Sequence, residues 1–306
     1  MGTMEYRPVI ICSMAENEAG LRQAGLFVES LRSYGGAFAN APVRIFHHTD
    51  LSVDSADLPA NVSTCPIPVI ADWCQPYFFA SKVYCAAMAE EDAEDAGSIL
   101  VWVDDDTLIL NEPDSFYLEE GKIAAFSPVM HNRTGVTWNH PPGELWNYLD
   151  AVFSVEESDL FPLTAPADEV EIRAYFNAGL MVVEPARRLM RTWKQHFIPL
   201  CRDPRVLDLV AERPDDRIFL HQMVLTEVLL KDVGKDSMRI LPPAYNYPLF
   251  FEELFPAIRP FNDLAEAITA RYDAFFQNPR HGWQDRLKGS PEKIAWLIGR
   301  LEGLMG

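Results

Sequence analysis

Along the first half of the chain, short apolar runs alternate with longer stretches in which apolar residues recur every third or fourth position, the pattern of strands followed by amphipathic helices. Val9-Ile10-Ile11-Cys12 has the length of a buried strand, and over residues 16–34 Leu21, Ala24, Val28 and Leu31 follow at helical spacing until Gly35-Gly36 ends the helix. Val43-Arg44-Ile45-Phe46 predicts a second strand. Residues 62–69 predict a third, which Pro66 and Pro68 confine to a sheet edge or a loop. Residues 78–96 are helical in pattern, with Phe79, Val83, Ala86 and Glu90 at steps of three or four, and their acidic end, 90–95, reads as a solvated helix terminus.

Ser98-Ile99-Leu100-Val101-Trp102-Val103 predicts a strand buried on both faces. It stops in three carboxylates, Asp104-Asp105-Asp106, and a second apolar run, Leu108-Ile109-Leu110, follows them. Beyond it the pattern predicts strands over 122–128, 173–184 and 238–241 and helices over 142–153, 185–197 and 216–231. It also gives a polar loop over 154–171 and an aromatic, proline-rich stretch over 242–260. A terminal helix starts at Ser290-Pro291-Glu292, with Ser290 as N-cap and Pro291 in the first turn. Strand and helix alternate from the start, and no internal repeat or long Gly, Ser or Pro linker divides the chain. The expectation is one α/β domain with a mixed sheet and a helical C-terminal part over residues 1–306.

Composition narrows what such a domain can bind. The 306 residues carry 26 Lys and Arg against 45 Asp and Glu, a formal charge of −19. Nucleic-acid backbones and anionic membrane surfaces are recognised by clustered cations, so this balance argues against both as partners. No apolar run approaches the roughly 20 residues that span a bilayer, and residues 1–8 lack the apolar core of a signal peptide. Cys12, Cys65, Cys74, Cys85 and Cys201 form an odd set without a C-x-x-C pair. Reduced thiols in a cytoplasmic protein are therefore expected.

Three adjacent carboxylates at the end of a buried strand repel one another unless something neutralises them. In an extended chain Asp104 and Asp106 point to one side and Asp105 to the other. Two carboxylates so placed can share a hard cation such as Mg²⁺ or Mn²⁺. Strand ends are also where open α/β sheets bind ligands.

At these residues the sequence resembles a known family. The segment Val101-Trp102-Val103-Asp104-Asp105-Asp106-Thr107-Leu108-Ile109-Leu110-Asn111-Glu112-Pro113 resembles the D-x-D segment of nucleotide-sugar-dependent glycosyltransferases with the GT-A fold. Tyr175-Phe176-Asn177-Ala178-Gly179-Leu180-Met181-Val182-Val183 is similar to the F-N-[AS]-G-[VL] strand of the glycogenin-like (family eight) retaining transferases. Leu220-His221-Gln222-Met223-Val224-Leu225-Thr226-Glu227-Val228-Leu229 resembles that family's D-Q-x-x-[LF]-N helix, with His221 in place of its Asp and Thr226 in place of its Asn. Order and spacing agree over about residues 7–250.

The resemblance implies a single GT-A domain, a Rossmann-like mixed sheet flanked by helices. The nucleotide-binding half would cover about 1–115, and the acceptor half and helical C-terminal part about 116–306. It implies a glycosyltransferase that retains anomeric configuration, a nucleoside-diphosphate sugar as donor (a UDP-sugar in most of the family), and a glycan, lipid or protein acceptor. Asp104 and Asp106 would hold Mn²⁺ or Mg²⁺, which acts as a Lewis acid on the leaving diphosphate. Gln222 and Asn177 would stand at the reacting centre. Asp105, Lys82, Gly179 and His221 would contact the donor, His221 as base, metal neighbour or structural histidine. Ser13 and Asn17, after the first strand, would hold the nucleobase and ribose. The family's third metal ligand is a His in a late I-x-H-[YF] segment. Residues 267–273 have none, which leaves His281, beside Gly282-Trp283, as the substitute. Trp138, Trp146, Tyr148, Tyr245 and Tyr247 are packing aromatics that could also stack on a sugar.

Three rivals stay open at this level. One is a catalytically inactive sugar-nucleotide-binding protein, its site broken by His221 and the missing late His. Another is a sugar-nucleotide pyrophosphorylase, although residues 13–21 hold only Gly20 where such enzymes have a Gly-rich phosphate loop. A metal-dependent hydrolase is the third, without an H-x-H or H-D pattern near the carboxylates to support it.

Overall fold

The computed structural model describes residues 7–51, 59–272 and 280–305. The chain opens with β1 (Val9–Ala15), α1 (Glu18–Tyr34), β2 (Val43–His47) and β3 (Val62–Pro66). Helix α2 (Ala80–Asp95) leads into β4 (Ile99–Val103), and the three carboxylates separate β4 from the short β5 (Thr107–Ile109). There follow β6 (Ala124–Pro128), α3 (Glu144–Phe153), a hairpin of β7 (Pro162–Ala165) and β8 (Val170–Arg173), and β9 (Phe176–Val183). Helices α4 (Leu189–Leu200), α5 (Pro204–Ala211) and α6 (Pro214–Asp232) come next, then β10 (Met238–Ile240), β11 (Tyr247–Pro248), β12 (Thr269–Arg271) and the terminal α7 (Pro291–Met305).

Seven strands form one mixed sheet in the order β10-β6-β9-β4-β1-β2-β3, so the expected α/β architecture, a mixed sheet flanked by helices, is present. β3 lies at the edge, as its prolines required. β1 to β4 run parallel to one another, and β9 is antiparallel to both of its neighbours, β4 and β6. The C-terminal ends of β1, β4 and β6 and the N-terminal end of β9 therefore share one edge of the sheet. A separate three-stranded sheet, β11-β12-β5, stands beside that edge.

Alternation along the strands feeds two cores. Val9, Ile11, Val101 and Val103 pack under α1 with Phe27 and Leu31, whereas Ile10, Cys12, Leu100 and Trp102 join residues of α2, α4 and α6 on the other face. A third core ties the small sheet to α7 through Leu108, Leu110, Tyr247, Leu297 and Leu301. Helix starts follow their caps. Asn17 Oδ1 accepts from Gly20 N at 3.0 Å, Asp203 Oδ1 accepts from Arg205 N at 2.9 Å, and Ser290 Oγ accepts from Lys293 N at 3.3 Å.

Three segments depart from the sequence pattern. Residues 154–171, expected as a polar loop, carry β7 and the start of β8, because that hairpin buries only Ala165, Ile172 and Arg173 and shows little alternation. The helix expected from Pro185 is a short 3-10 turn, Pro185–Arg187, broken from α4 by Arg188 in the left-handed conformation at φ 59. α5 escaped the apolar periodicity because it buries only Val206 and Val210. Among the described residues no helix is long and apolar enough to cross a membrane.

One buried charge cluster links α3, β8 and α6. The Arg173 guanidinium faces both Asp150 and Glu227, with Glu227 Oε1 2.8 Å from Arg173 Nη2. Burial pushes the Glu227 carboxyl up to about 8, against the pull of Arg173 and with Asp150 adding to the rise. A carboxyl raised on folding holds its proton more tightly in the native state. Its contribution is therefore complete near pH 4.5 and is lost as pH rises through about 8. Urea unfolding at about pH 5 and about pH 8.5 should show a smaller loss of stability for Glu227→Gln than for the wild type. Equal losses in the two proteins would remove this assignment.

Candidate functional site

β4 delivers the three carboxylates to the shared edge of the sheet. Its last residue pairs with Leu180 of β9, and Asp104 N donates to Gly179 O at 2.9 Å. Asp104 and Asp106 line one cavity, on either side of a turn closed by Thr107 N donating to Asp104 O at 3.1 Å. Asp105 turns the other way. Its Oδ2 lies 2.6 Å from where a Cβ on Gly20 would stand, over the first turn of α1, where the helix dipole favours an anion.

Two cations from distant parts of the chain meet the pair. Lys82, in the first turn of α2, places Nζ 2.6 Å from Asp104 Oδ1. Arg271 ends β12, whose antiparallel register with β5 sets it opposite Thr107, one residue past Asp106. Its Nε lies 3.2 Å from both oxygens of Asp106, and its Nη2 lies 3.1 Å from Asp106 Oδ2 and 3.6 Å from Asp104 Oδ2. Burial works to raise the Asp104 carboxyl, but Lys82 and Arg271 outweigh it and hold the group below the ordinary aspartate value.

Asp104 and Asp106, the residues that would hold Mn²⁺ or Mg²⁺, are engaged by Lys82 and Arg271. No cluster of three His, Cys, Asp or Glu side chains able to hold a metal occurs among the described residues, so a divalent ion would have to draw its other oxygens from water and a bound phosphate. The two carboxylates present already face two cations. His281, expected as the third ligand, is exposed and does not line the cavity, because the chain there turns through Gly282 at φ 75 to bury Trp283.

The cavity holds about 340 Å³. Besides Lys82, Asp104 and Asp106, it brings together Asn177, His221 and Gln222. α6 lies on β9, so that Gln222 Oε1 accepts from Ala178 N at 3.2 Å and its Nε2 donates to the Tyr175 hydroxyl at 3.2 Å. Asn177 Oδ1 bends back to accept from Gly179 N at 2.6 Å. His221 Nδ1 is 3.0 Å from Ile218 O, its ring lies 4.4 Å from that of Phe79, and burial followed by Lys82 pulls it well below the ordinary histidine value. It is therefore neutral near pH 7, a packed imidazole beside the charged pair.

Other expected residues lie elsewhere. Asn17 is an exposed helix cap, Ser13 is buried in β1, and neither lines the cavity. Gly179 sits behind it, where a Cβ would stand 2.8 Å from Asn177 Oδ1 and 3.0 Å from Asp104 Oδ2. Trp146, Tyr148 and Tyr245 spend their polar ends on Thr134 O, Asp203 and Asp114, and none of the five expected aromatics lines the cavity. Phe219, Phe251 and Phe255 form its aromatic wall instead.

The lining residues that were not anticipated include Arg271 and His131. Arg271 lies just before Tyr272, in the stretch 267–273 that holds no His. His131, after β6, is paired through Nδ1 with Asp168, whose other oxygen accepts from Asn132 N at 2.7 Å. No local sequence pattern marks that pair.

Comparison with known proteins adds the family. The profile of the Rhodobacterales glycosyltransferase domain matches residues 11–231, which include Lys82, Asp104, Asp106, Asn177, His221 and Gln222. Among solved structures, the apo form of WbbM, a bifunctional glycosyltransferase, is similar at 14% identity and a TM-score of 0.47, over 98% of this chain and 52% of that one. This chain thus spans about half the length of that protein. A comparison with curated proteins returns no match. With well over half of its length covered by the profile, the chain belongs to the Rhodobacterales glycosyltransferase domain family.

Proposed function

We propose that the chain carries a GT-A domain that moves a sugar from a nucleoside-diphosphate donor, a UDP-sugar by its resemblance to the glycogenin-like family, to an acceptor hydroxyl. The observation that carries this reading is convergence. The D-x-D turn, the F-N-A-G strand and the His-Gln helix are far apart in sequence and line one cavity at the ligand-binding edge of the sheet. We place the protein in the cytoplasm, where its five free cysteines stay reduced.

In this reading the donor diphosphate lies against Arg271 and Lys82. The bond from the anomeric carbon to the β-phosphate oxygen breaks, and its electron pair goes to the diphosphate, where the two cations meet the developing charge. The acceptor oxygen bonds the anomeric carbon from the face that the diphosphate leaves, so configuration is retained, and its proton passes to the departing phosphate. Gln222 and Asn177 border the anomeric carbon and hold it near neutral amides. His131, oriented by Asp168, receives the acceptor hydroxyl at the end walled by Phe251 and Phe255. The acceptor is a glycan, lipid or protein bearing that hydroxyl.

Incubation with a panel of nucleoside-diphosphate sugars should release the nucleoside diphosphate from at least one of them, and proton NMR of the product should show the donor's anomeric configuration. Neither binding nor turnover with any donor would overturn the reading, and an inverted product would overturn retention. Gly179→Ala should cut turnover by about tenfold or more with little change in melting temperature, because the added methyl presses on Asp104 and Asn177. Unchanged turnover would show that the close approach of β9 to Asp104 is not needed.

A further inference from the structure

We propose that this glycosyltransferase binds its donor diphosphate without a divalent cation, the Arg271 guanidinium standing in the metal's place between Asp104 and Asp106. The inference rests on the donor-site reading above and adds one point, that no divalent cation takes part in holding the diphosphate.

Geometry supports the replacement. A metal held by a D-x-D turn bridges its two carboxylates, and here one planar group does so, with Nε and Nη2 on Asp106 and Nη2 3.6 Å from Asp104. Lys82 meets the other oxygen of Asp104, Oδ1. Among the described residues the two carboxylates thus face two cations, which offset the negative charge that draws a divalent ion from water.

Backbone structure fixes the arginine in that position. β12 is pinned on one side by its register with β5 and on the other by Leu249 N donating to Arg271 O at 2.8 Å. Asn246 N donates to the Thr269 hydroxyl at 2.7 Å. Behind the guanidinium, Gly179 leaves room. A Cβ there would stand 3.3 Å from Arg271 Nη1, so the bare backbone of β9 lets the group lie flat beside the carboxylates.

The order of exposure gives the site its sign. The Arg271 side chain is 29% exposed, against 11% for Asp104 and 4% for Asp106. An anion entering the cavity therefore meets the cation first, with the carboxylates behind it holding the guanidinium in place. A guanidinium presents its N–H groups in a fixed plane that matches phosphate oxygens, which a metal-free diphosphate site needs.

The test is calorimetric titration of the full chain with UDP and with other nucleoside diphosphates, once in EDTA and once with Mn²⁺. Electron paramagnetic resonance of Mn²⁺ added to the chain alone accompanies it. The nucleotide that binds should do so with affinities within about threefold in the two buffers. Mn²⁺ should keep its free-ion signal. Arg271→Met should weaken binding in EDTA by about thirtyfold or more, and Arg271→Lys, which keeps the charge and loses the planar fork, should fall between. The lysine variant and the wild-type titrations decide the matter even if the methionine variant fails to fold. Nucleotide binding only in the presence of Mn²⁺, or capture of Mn²⁺ by the chain alone, would overturn the proposal while leaving the donor-site reading intact. Absence of nucleotide binding in both buffers would overturn the donor-site reading, and this inference with it.

Discussion

Two carboxylates at the end of a strand buried on both faces can be tolerated only if positive charge reaches them, and much of the site's architecture follows from that requirement. Asp104 and Asp106 line one cavity because the chain turns directly after β4, with Thr107 N donating to Asp104 O. Their partners come from opposite ends of the fold. Lys82 begins a helix that packs on one face of the sheet, and Arg271 ends a strand of a second, smaller sheet. A change that moves α2 or β12 relative to β4 leaves a buried carboxylate without its partner, a loss that weighs more than that of an exposed ion pair. The overall charge of −19 is thus compatible with an anionic ligand, because the sign of the site is set by which member of a local cluster faces the cavity.

The antiparallel strand β9 makes this arrangement compact. Insertion of β9 between β4 and β6 sets its first residues at the edge where the parallel strands end, so Asn177 and Gly179 lie beside Asp104 without a long loop. α6 then lies over β9 and fixes Gln222 by a bond to the Ala178 amide. The side chains proposed to surround the anomeric carbon therefore stand on a strand and a helix, not on a loop. Such placement suits a reaction that depends on the orientation of two substrates.

The strands and long helices were legible because each carries a strong local signal: an apolar run in β1 and β4, an apolar stripe in α1, and a Ser-Pro start in α7. Elements with weak burial were not, as the β7–β8 hairpin and α5 show. In the site, Lys82, Asp104, Asp106, Asn177, His221 and Gln222 could be named in advance because each sits in or next to a motif with its own pattern. Arg271 could not, since its role is created by the pairing of three-residue strands far apart in sequence, and no local periodicity encodes that register. His281 was expected on the strength of its neighbours Gly282 and Trp283. Those neighbours serve a turn and a buried indole, and the imidazole is left outside.

The most direct examination of the Asp104–Arg271–Asp106 cluster is a crystal structure of the chain grown with a nucleoside diphosphate and Mn²⁺, with anomalous data collected at the manganese edge. Phosphate density within hydrogen-bonding reach of Arg271 and Lys82, and no anomalous peak between Asp104 and Asp106, is the expected result. A manganese peak bridging the two aspartates, with the Arg271 side chain displaced, would contradict it.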